Sequence, residues 1–594
     1  MPHTGIRPMP AAAAMDGWQL LTRHGMLVAI AAGLLGFVLA FLVLRDRLRD
    51  PRRRQGLALW WRLRWRLYPG KGFARRLELW RHYGLPAARK VAQQARPSLR
   101  GWWTRYLVRH SEVAVFLGWA QGWIFRFRTY AAFEDNLLVL APQKEGKTAH
   151  LAGRIIDAPG AVIATSIRDD IVTLTAGLRA QRGRVHLFNP ERVGEYASTL
   201  RWSPVDGCED QATAIRRAAH MVAATQTGGL SDEGFWTSQA AMVLAALLHA
   251  AALERLTLER VYAWALDEDQ APLKILDRQG RGTDRAAALV RRYHALHVRT
   301  RDSIFLTLRQ ALRCMEDPAT AWAVCPKPGQ GLDLEEVLRR RETLYMIAGE
   351  DAHPAIPVLF TTLVAEIHHQ ARQLASQRPS RRMDPPTMIV LDEAPEICPI
   401  TQLPGWLATA AGSGLFFIVA GQSHSQFRQR WGAEGAKTIW NNTKAKLLAG
   451  ATSDPDDLEV MSKLCGEIAL PYWEESVDGS GKRQRTRRWE TVPVLPPEQA
   501  RRLPTGRALV LRRNATPTIV RMEQVWRRAD YRRWRAKDGT VPLPRHPTAT
   551  PTPLTLPEPE PTRRSWPRLP RGRSDQERAA RPWHIASAET EGDQ

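Results

Sequence analysis

Three short apolar runs in this chain each stop at a polar residue. Leu137 to Leu140 gives way to a polar loop, Ala141 to Thr148, after which Leu151, Ile155 and Ile156 return at helical spacing, so the pattern predicts strand, loop, helix. Thr387 to Leu391 (TMIVL) ends in Asp392-Glu393, and Leu415 to Ala420 (LFFIVA) ends in Gly421-Gln422-Ser423. Continuous runs of this kind suit strands buried on both faces, as in a parallel sheet covered by helices. Ala161 to Thr165, Val185 to Phe188 and Thr343 to Ile347 read as further strands, with Asp170 capping the helix between the first two. The expected class is α/β, a doubly wound sheet with its ligand edge at the polar strand ends.

Between these strands the period changes. Glu233 to Leu253 is one strongly apolar helix, and Leu256 to Ala323 shows amphipathic helical spacing with no strand signal, punctuated by Gln279-Gly280-Arg281-Gly282. A separate all-α insertion fits, over 254–330, dividing the sheet domain into 131–253 and 331–535. A helix spans Ile356 to Ser376.

After a short segment, 1–25, Met26 to Leu44 forms an uncharged apolar run of about 19 residues, long enough to cross a hydrocarbon core of roughly 30 Å. The Arg cluster from Arg45 to Arg54 follows at once, which argues against a cleaved signal and places the bulk of the chain in the cytoplasm, anchored by a single pass in the cell membrane. From Arg45 to His110 there are 19 Arg and Lys against 3 acidic residues, interleaved with Trp60, Trp61, Trp65, Trp80, Trp102 and Trp103. That mixture suits anionic lipid headgroups, and the basic juxtamembrane region is expected to run over 45–130. Val113 to Phe125 reads as an interfacial or re-entrant piece, a second span being the weaker alternative. The tail, 540–594, turns from Pro547 to Pro, Thr, Arg and Glu and is expected to be disordered.

The polar strand ends supply candidate chemistry. A glycine turn at a helix start can wrap phosphate oxygens with unpaired N–H groups. Ala141 opens this loop where the phosphate-loop consensus has Gly, and Gly146 closes it; Lys147 would reach the terminal phosphates of ATP and the Thr148 hydroxyl would take a place on Mg2+. Glu145 puts a carboxylate into a loop meant for anions. Asp392 would hold the magnesium shell, Glu393 would polarise the attacking water, and Gln422 would sense the γ-phosphate. The plainer alternatives are a turn with a Lys-Thr helix start, and an acidic pair that merely caps a helix.

Composition adds two constraints. A net charge of +25 implies an anionic partner, nucleic acid or a membrane surface, and 44% hydrophobic content is ample for a large core. The five cysteines, Cys208, Cys314, Cys325, Cys398 and Cys465, have no metal or redox spacing and fit free thiols in a reducing compartment.

In order along the chain stand APQKEGKT (141–148), TSIRDD (165–170), GRVHLFNP (183–190), LRWSP (200–204), FW (235–236), LDEAPEI (391–397) and GLFFIVAGQSHSQFRQRWG (414–432). In these the chain resembles the type IV coupling proteins of the TraG/TraD kind, membrane-bound motor ATPases of conjugation and type IV secretion. PGKGFARRLEL (69–79) and RPSL (96–99) further resemble the actinobacterial branch. The resemblance implies a RecA-like P-loop NTPase domain interrupted by the all-α domain, a homo-hexameric ring beneath the membrane, and an all-α part that recognises relaxase-bound DNA. Single-stranded DNA or a relaxase-DNA complex and the type IV secretion channel proteins are then the implied partners. Arg428 and Arg430, just past Gln422, are implied candidates for an arginine finger acting on a neighbouring subunit, with solvated helix charges as the alternative. Two rival functions remain: a septal double-stranded DNA translocase of the FtsK type, which would bring several spans and a winged-helix module, and a membrane docking adaptor of the same fold without hydrolysis.

Overall fold

The computed structural model describes residues 72–121, 126–225, 233–279, 283–349, 353–450, 452, 454–477 and 483–546. The expected span at 26–44, the segment before it, the basic stretch up to residue 71, the glycines of 280–282 and the tail from 547 lie outside the described residues.

The strands, in chain order, are β1 Val115–Gln121, β2 Arg126–Ala131, β3 Leu137–Leu140, β4 Val162–Ser166, β5 Val185–Phe188, β6 Thr343–Ile347, β7 Thr387–Leu391, β8 Leu415–Gly421, β9 Ala445–Ala449, β10 Glu467–Val477, β11 Arg483–Pro493, β12 Arg507–Arg512 and β13 Thr518–Arg521. Eleven of them form one sheet in the order β2-β1-β13-β12-β9-β3-β8-β7-β4-β6-β5, while β10 and β11 pair as a separate hairpin. The seven strands from β9 to β5 run parallel. The other four extend the β9 edge with antiparallel pairs.

The apolar runs are continuous because both faces of the parallel strands are covered. Leu138, Leu140, Ile163, Ile389, Leu391, Phe417 and Val419 enter one core. Their alternates Leu137, Val139, Val162, Met388, Val390, Phe416 and Ile418 enter the other.

Six helices are used below: α1 Leu85–Ala95, α2 Lys147–Asp157, α3 Asp170–Arg179, α4 Gln211–Ala223, α5 Glu233–Leu253 and α6 Ile356–Ser376. Through Leu151, Ile155, Ile171 and Val172, α2 and α3 cover the second face. Through Leu359, Leu363 and Ile367, α6 covers the first. Asp170 does not cap the helix between β4 and β5 but is its first residue; Asp169 stands at the N-cap position without a side-chain capping bond.

Helices Leu258–Asp267, Ala271–Gln279, Asp284–His294 and Val298–Ala311 all pack around α5. This explains why α5 is apolar on every side: it is the axis of the helical bundle, and the expected boundary at 254 would separate the bundle from its own core. Gly234–Leu253 is also the one helix among the described residues long and apolar enough to cross a membrane, and it is mostly buried here.

Two further boundaries move. Val113 to Phe125 is not an interfacial piece over its described part, because β1 occupies it. Val115, Leu117 and Ala120 enter the main core and Phe116 packs with Tyr130, Ala88 and Ala92 under α1. The sheet therefore begins well before residue 131. At the other end, residues 540–546 belong to the body: Leu543 is buried, Ala197 N–H donates to Pro544 O at 2.8 Å and His546 N–H to Glu195 O at 2.9 Å.

Two ionic joints tie the ends of the chain to the sheet. Arg96 Nε lies 2.7 Å from Asp384 Oδ1, whose other oxygen accepts the Ser98 backbone N–H at 2.6 Å. On α2, fully buried Arg154 donates to the Phe116 carbonyl on β1 and pairs with Glu523. Arg528 closes that ring, with Nη2 at 2.7 Å from Asp157 Oδ1 and Nη1 at 3.0 Å from Glu523 Oε2.

Candidate nucleotide site

The three polar ends lie side by side because β8 sits between β3 and β7. Leu140 is in register with Gly421 and Leu391 with Val419, and Ala141 N–H donates to Gly421 O at 3.1 Å. From this edge the loop climbs to Gly146, whose φ of +88° sets the start of α2 at Lys147. A Cβ at Gly146 would meet nothing within 4 Å. Glycine is thus demanded there by the left-handed backbone, and the space in front of the helix start is open.

Lys147 is buried and its amine faces the acidic pair: Nζ stands 3.1 Å from Asp392 Oδ1 and donates to Glu393 Oε1. Burial pulls the amine's pKa down, but the two carboxylates outweigh it and hold the amine above its ordinary value. Burial pushes the Glu393 carboxyl up, with Lys147 opposing. Asp392 Oδ2 accepts from Ser166 Oγ at 3.5 Å, and Asp392 N–H donates to Thr165 O at 3.3 Å.

Glu393 holds φ +52° and ψ +47° as it leads into the short helix Ala394–Ile397. A left-handed backbone on a residue with a Cβ costs roughly 1 to 2 kcal/mol, and such outliers gather at functional sites. Its Oε2 is buried with no hydrogen-bond partner among the described residues.

The remaining site residues divide. Thr148, half-buried, is the second residue of α2, beside Lys147. Gln422 N–H donates to Gln426 Oε1 at 2.9 Å, and Gln426 Nε2 donates to Glu396 Oε1 at 2.9 Å, so Gln426 links the third strand end to the helix that follows Glu393. Gln426 and Ser166 escaped the sequence reading, although both lie within motifs it singled out. Arg428 is exposed and pairs with Asp456 at 3.3 Å within this chain. Arg430 is half-buried, two residues further along the same helix, His424–Asn442.

Glu145 does not face the open space as a lone carboxylate would. It is buried against the turn before β12, accepting from Thr505 Oγ1 at 3.4 Å and from the Gly506 backbone, and burial pushes its carboxyl up.

A buried amine, two carboxylates with an unpartnered oxygen, two hydroxyls and an open helix start form the donor set that a phosphate chain with a hard divalent cation requires. Among the described residues no group of three His, Cys, Asp or Glu could hold a metal unaided.

Residues 386–505 match the family model described as the TraM recognition site of TraD and TraG. No curated protein sequence matches the chain. Among solved structures it is similar to the bacterial conjugative coupling protein TrwBdeltaN70 in its unbound monoclinic form, at 19% identity and a TM-score of 0.50, over 66% of this chain and 85% of that one. The plasmid coupling protein TrwB in complex with a non-hydrolysable GTP analogue matches at 19% identity and a TM-score of 0.48, over 66% and 86%. VirB4 of Thermoanaerobacter pseudethanolicus matches at 13% identity and a TM-score of 0.39, over 69% and 96%. At these identities the likeness is one of fold. The matched segment, 386–505, holds Asp392, Glu393 and Gln422, and the chain shares the α/β fold of the TrwBdeltaN70 structure.

Proposed function

We propose that this chain is a membrane-anchored, ATP-driven motor that feeds DNA or a nucleoprotein into a type IV secretion channel. One observation carries the reading: Lys147 converges with Asp392 and Glu393 at the ends of β3 and β7, beside an open glycine turn. Lys147 and the first N–H groups of α2 bind the phosphates, and Thr148 with Asp392 holds magnesium. The metal supplies charge neutralisation on the phosphate oxygens. Glu393, whose carboxyl is held up by burial, takes a proton from the attacking water. Gln422 reports the state of the site through Gln426. Arg428 or Arg430 reaches a neighbouring subunit's site in a homo-hexamer.

In this reading 26–44 anchors the chain in the cell membrane and the helical bundle around α5 receives relaxase-bound DNA. The family-model description suggests that 386–505 meets a TraM-like protein. The sequence resemblance at 69–79 and 96–99 suggests the actinobacterial branch.

The test is nucleotide turnover by the full chain in lipid nanodiscs, alone and with single- or double-stranded DNA. Turnover stimulated by single strands and lost in Lys147→Ala is expected. Stimulation by duplex alone would favour a double-strand translocase, and absence of turnover throughout would favour a docking adaptor.

A further inference from the structure

Between Glu78 and Glu112 the chain carries seven Arg and Lys and no Asp or Glu. Within that interval, the helix Trp102–Leu107 buries no residue at all. Trp102 is 54% exposed, Trp103 68%, Tyr106 43% and Leu107 80%, an aromatic and aliphatic surface that a helix in water normally turns inward. Arg100 and Arg109 flank it, and half-buried Arg105 lies within it. Arg89 on α1 tethers the helix: its Nη2 donates to the Tyr106 carbonyl at 3.1 Å and its guanidinium lies 4.7 Å from the Tyr106 ring centre. Behind it, α1 is locked to the sheet through Arg96 and Asp384.

We propose that Trp102–Leu107 is a lipid-docking element that seats the motor body on the anionic bilayer surface, as a second attachment besides the apolar run at 26–44. The inference rests on the anchored reading above. Three observations select lipid as the occupant. Indole and phenol rings beside guanidinium groups match the headgroup layer, apolar body inward and polar edge outward. The charge over 79–111 is of one sign, complementary to an anionic leaflet. The described residues also begin at 72, with 27 residues between them and the end of the apolar run at Leu44, so this helix lies close in sequence to that run.

The experiment places an environment-sensitive fluorophore on a Leu107→Cys variant of the full chain. A parallel label on Leu266→Cys, 48% exposed in the helical bundle, is the reference. Both are reconstituted in phosphatidylcholine vesicles with and without phosphatidylglycerol, with a lipid-borne quencher. The expected result is blue-shifted, quenched emission at 107 in phosphatidylglycerol vesicles, weaker in phosphatidylcholine alone, and water-like emission at 266. Trp102→Ser with Trp103→Ser should abolish the signal at 107 while the chain still floats with vesicles. Water-like emission at 107 in chain that floats overturns the docking inference alone. Shielding at 107 that is equal in detergent and in both vesicles also overturns it, since the chain itself or a second copy then covers the helix. Chain that does not float overturns the anchored reading, and the inference with it.

Discussion

Lys147 Nζ rests 3.1 Å from Asp392 Oδ1, reaching past the one strand, β8, that separates the two motifs in the sheet. The amine thereby gives the buried acidic pair one positive charge against its two carboxylates. Phosphate binding must compete with that pairing.

Removing the amine tests it. Lys147→Met leaves Asp392 and Glu393 buried and adjacent, at a cost of about 3 kcal/mol near neutral pH. The deficit should shrink as the pH falls through the value of the Glu393 carboxyl, which burial already holds above its ordinary range. In the parent chain the raised lysine pKa gives the opposite limb: its contribution is complete below 10.5 and lost as the pH rises through the folded-state value. Thermal melts across pH on both proteins check both limbs.

Glu393→Gln separates binding from chemistry. Nucleotide should bind as tightly or more tightly, because a buried charge beside the phosphates is gone, while turnover falls about a hundredfold or more. Equilibrium binding and single-turnover assays read the two effects. Retained turnover would remove Glu393 from the role of base.

Gly146→Ala introduces a Cβ into open space at φ +88°. Its folding cost should stay at about 1 kcal/mol, the price of the left-handed backbone. Phosphate affinity should fall more than about tenfold, since the methyl stands where oxygens approach the α2 N–H groups. A melt and a nucleotide titration on the same sample suffice.

Glu145→Gln should leave turnover within about twofold of the parent, since this side chain serves the Thr505 turn, and should raise stability at neutral pH because burial penalises the ionised form. A large loss of turnover would mean that Glu145 also faces the phosphates.

Arg96→Met tests the joint between α1 and the sheet. Burial pushes the Asp384 carboxyl up, but the Ser98 N–H and Arg96 outweigh it and hold it below its ordinary range. The stability this pair contributes is present above 3.8 and lost as the pH falls through the lower folded-state value. The variant should lose about 3 kcal/mol at neutral pH. Its acid denaturation should also be shallower, as measured by circular dichroism against pH.

The strand ends were legible because a buried parallel strand leaves an unbroken apolar run, and the chemistry starts where the run stops, at Ala141, Asp392 and Gly421. β1 was not, since burial on two faces gave Val113 to Phe125 the density of a membrane-interface segment. The hairpin of β10 and β11 escaped for the converse reason: Glu474, Arg487 and Arg488 put charge along its strands, and it packs only lightly on the body, so no alternation of apolar and polar marks it. The role of α5 as a bundle axis was hidden because uniform apolarity names a buried helix but not its neighbours. Glu145 was misplaced because spacing reports that a residue belongs to a loop, not which wall its side chain turns to.

The ring of Arg154, Glu523, Arg528 and Asp157 makes α2 unable to shift alone. A tilt of its first turn on phosphate binding would be passed through Arg154 to the Phe116 carbonyl on β1, and through Arg528 to the segment leading into the helix Ala529–Lys537. In the proposed reading a small displacement at the strand ends would reach β1 and the Ala529–Lys537 helix together, as a crank drives two rods.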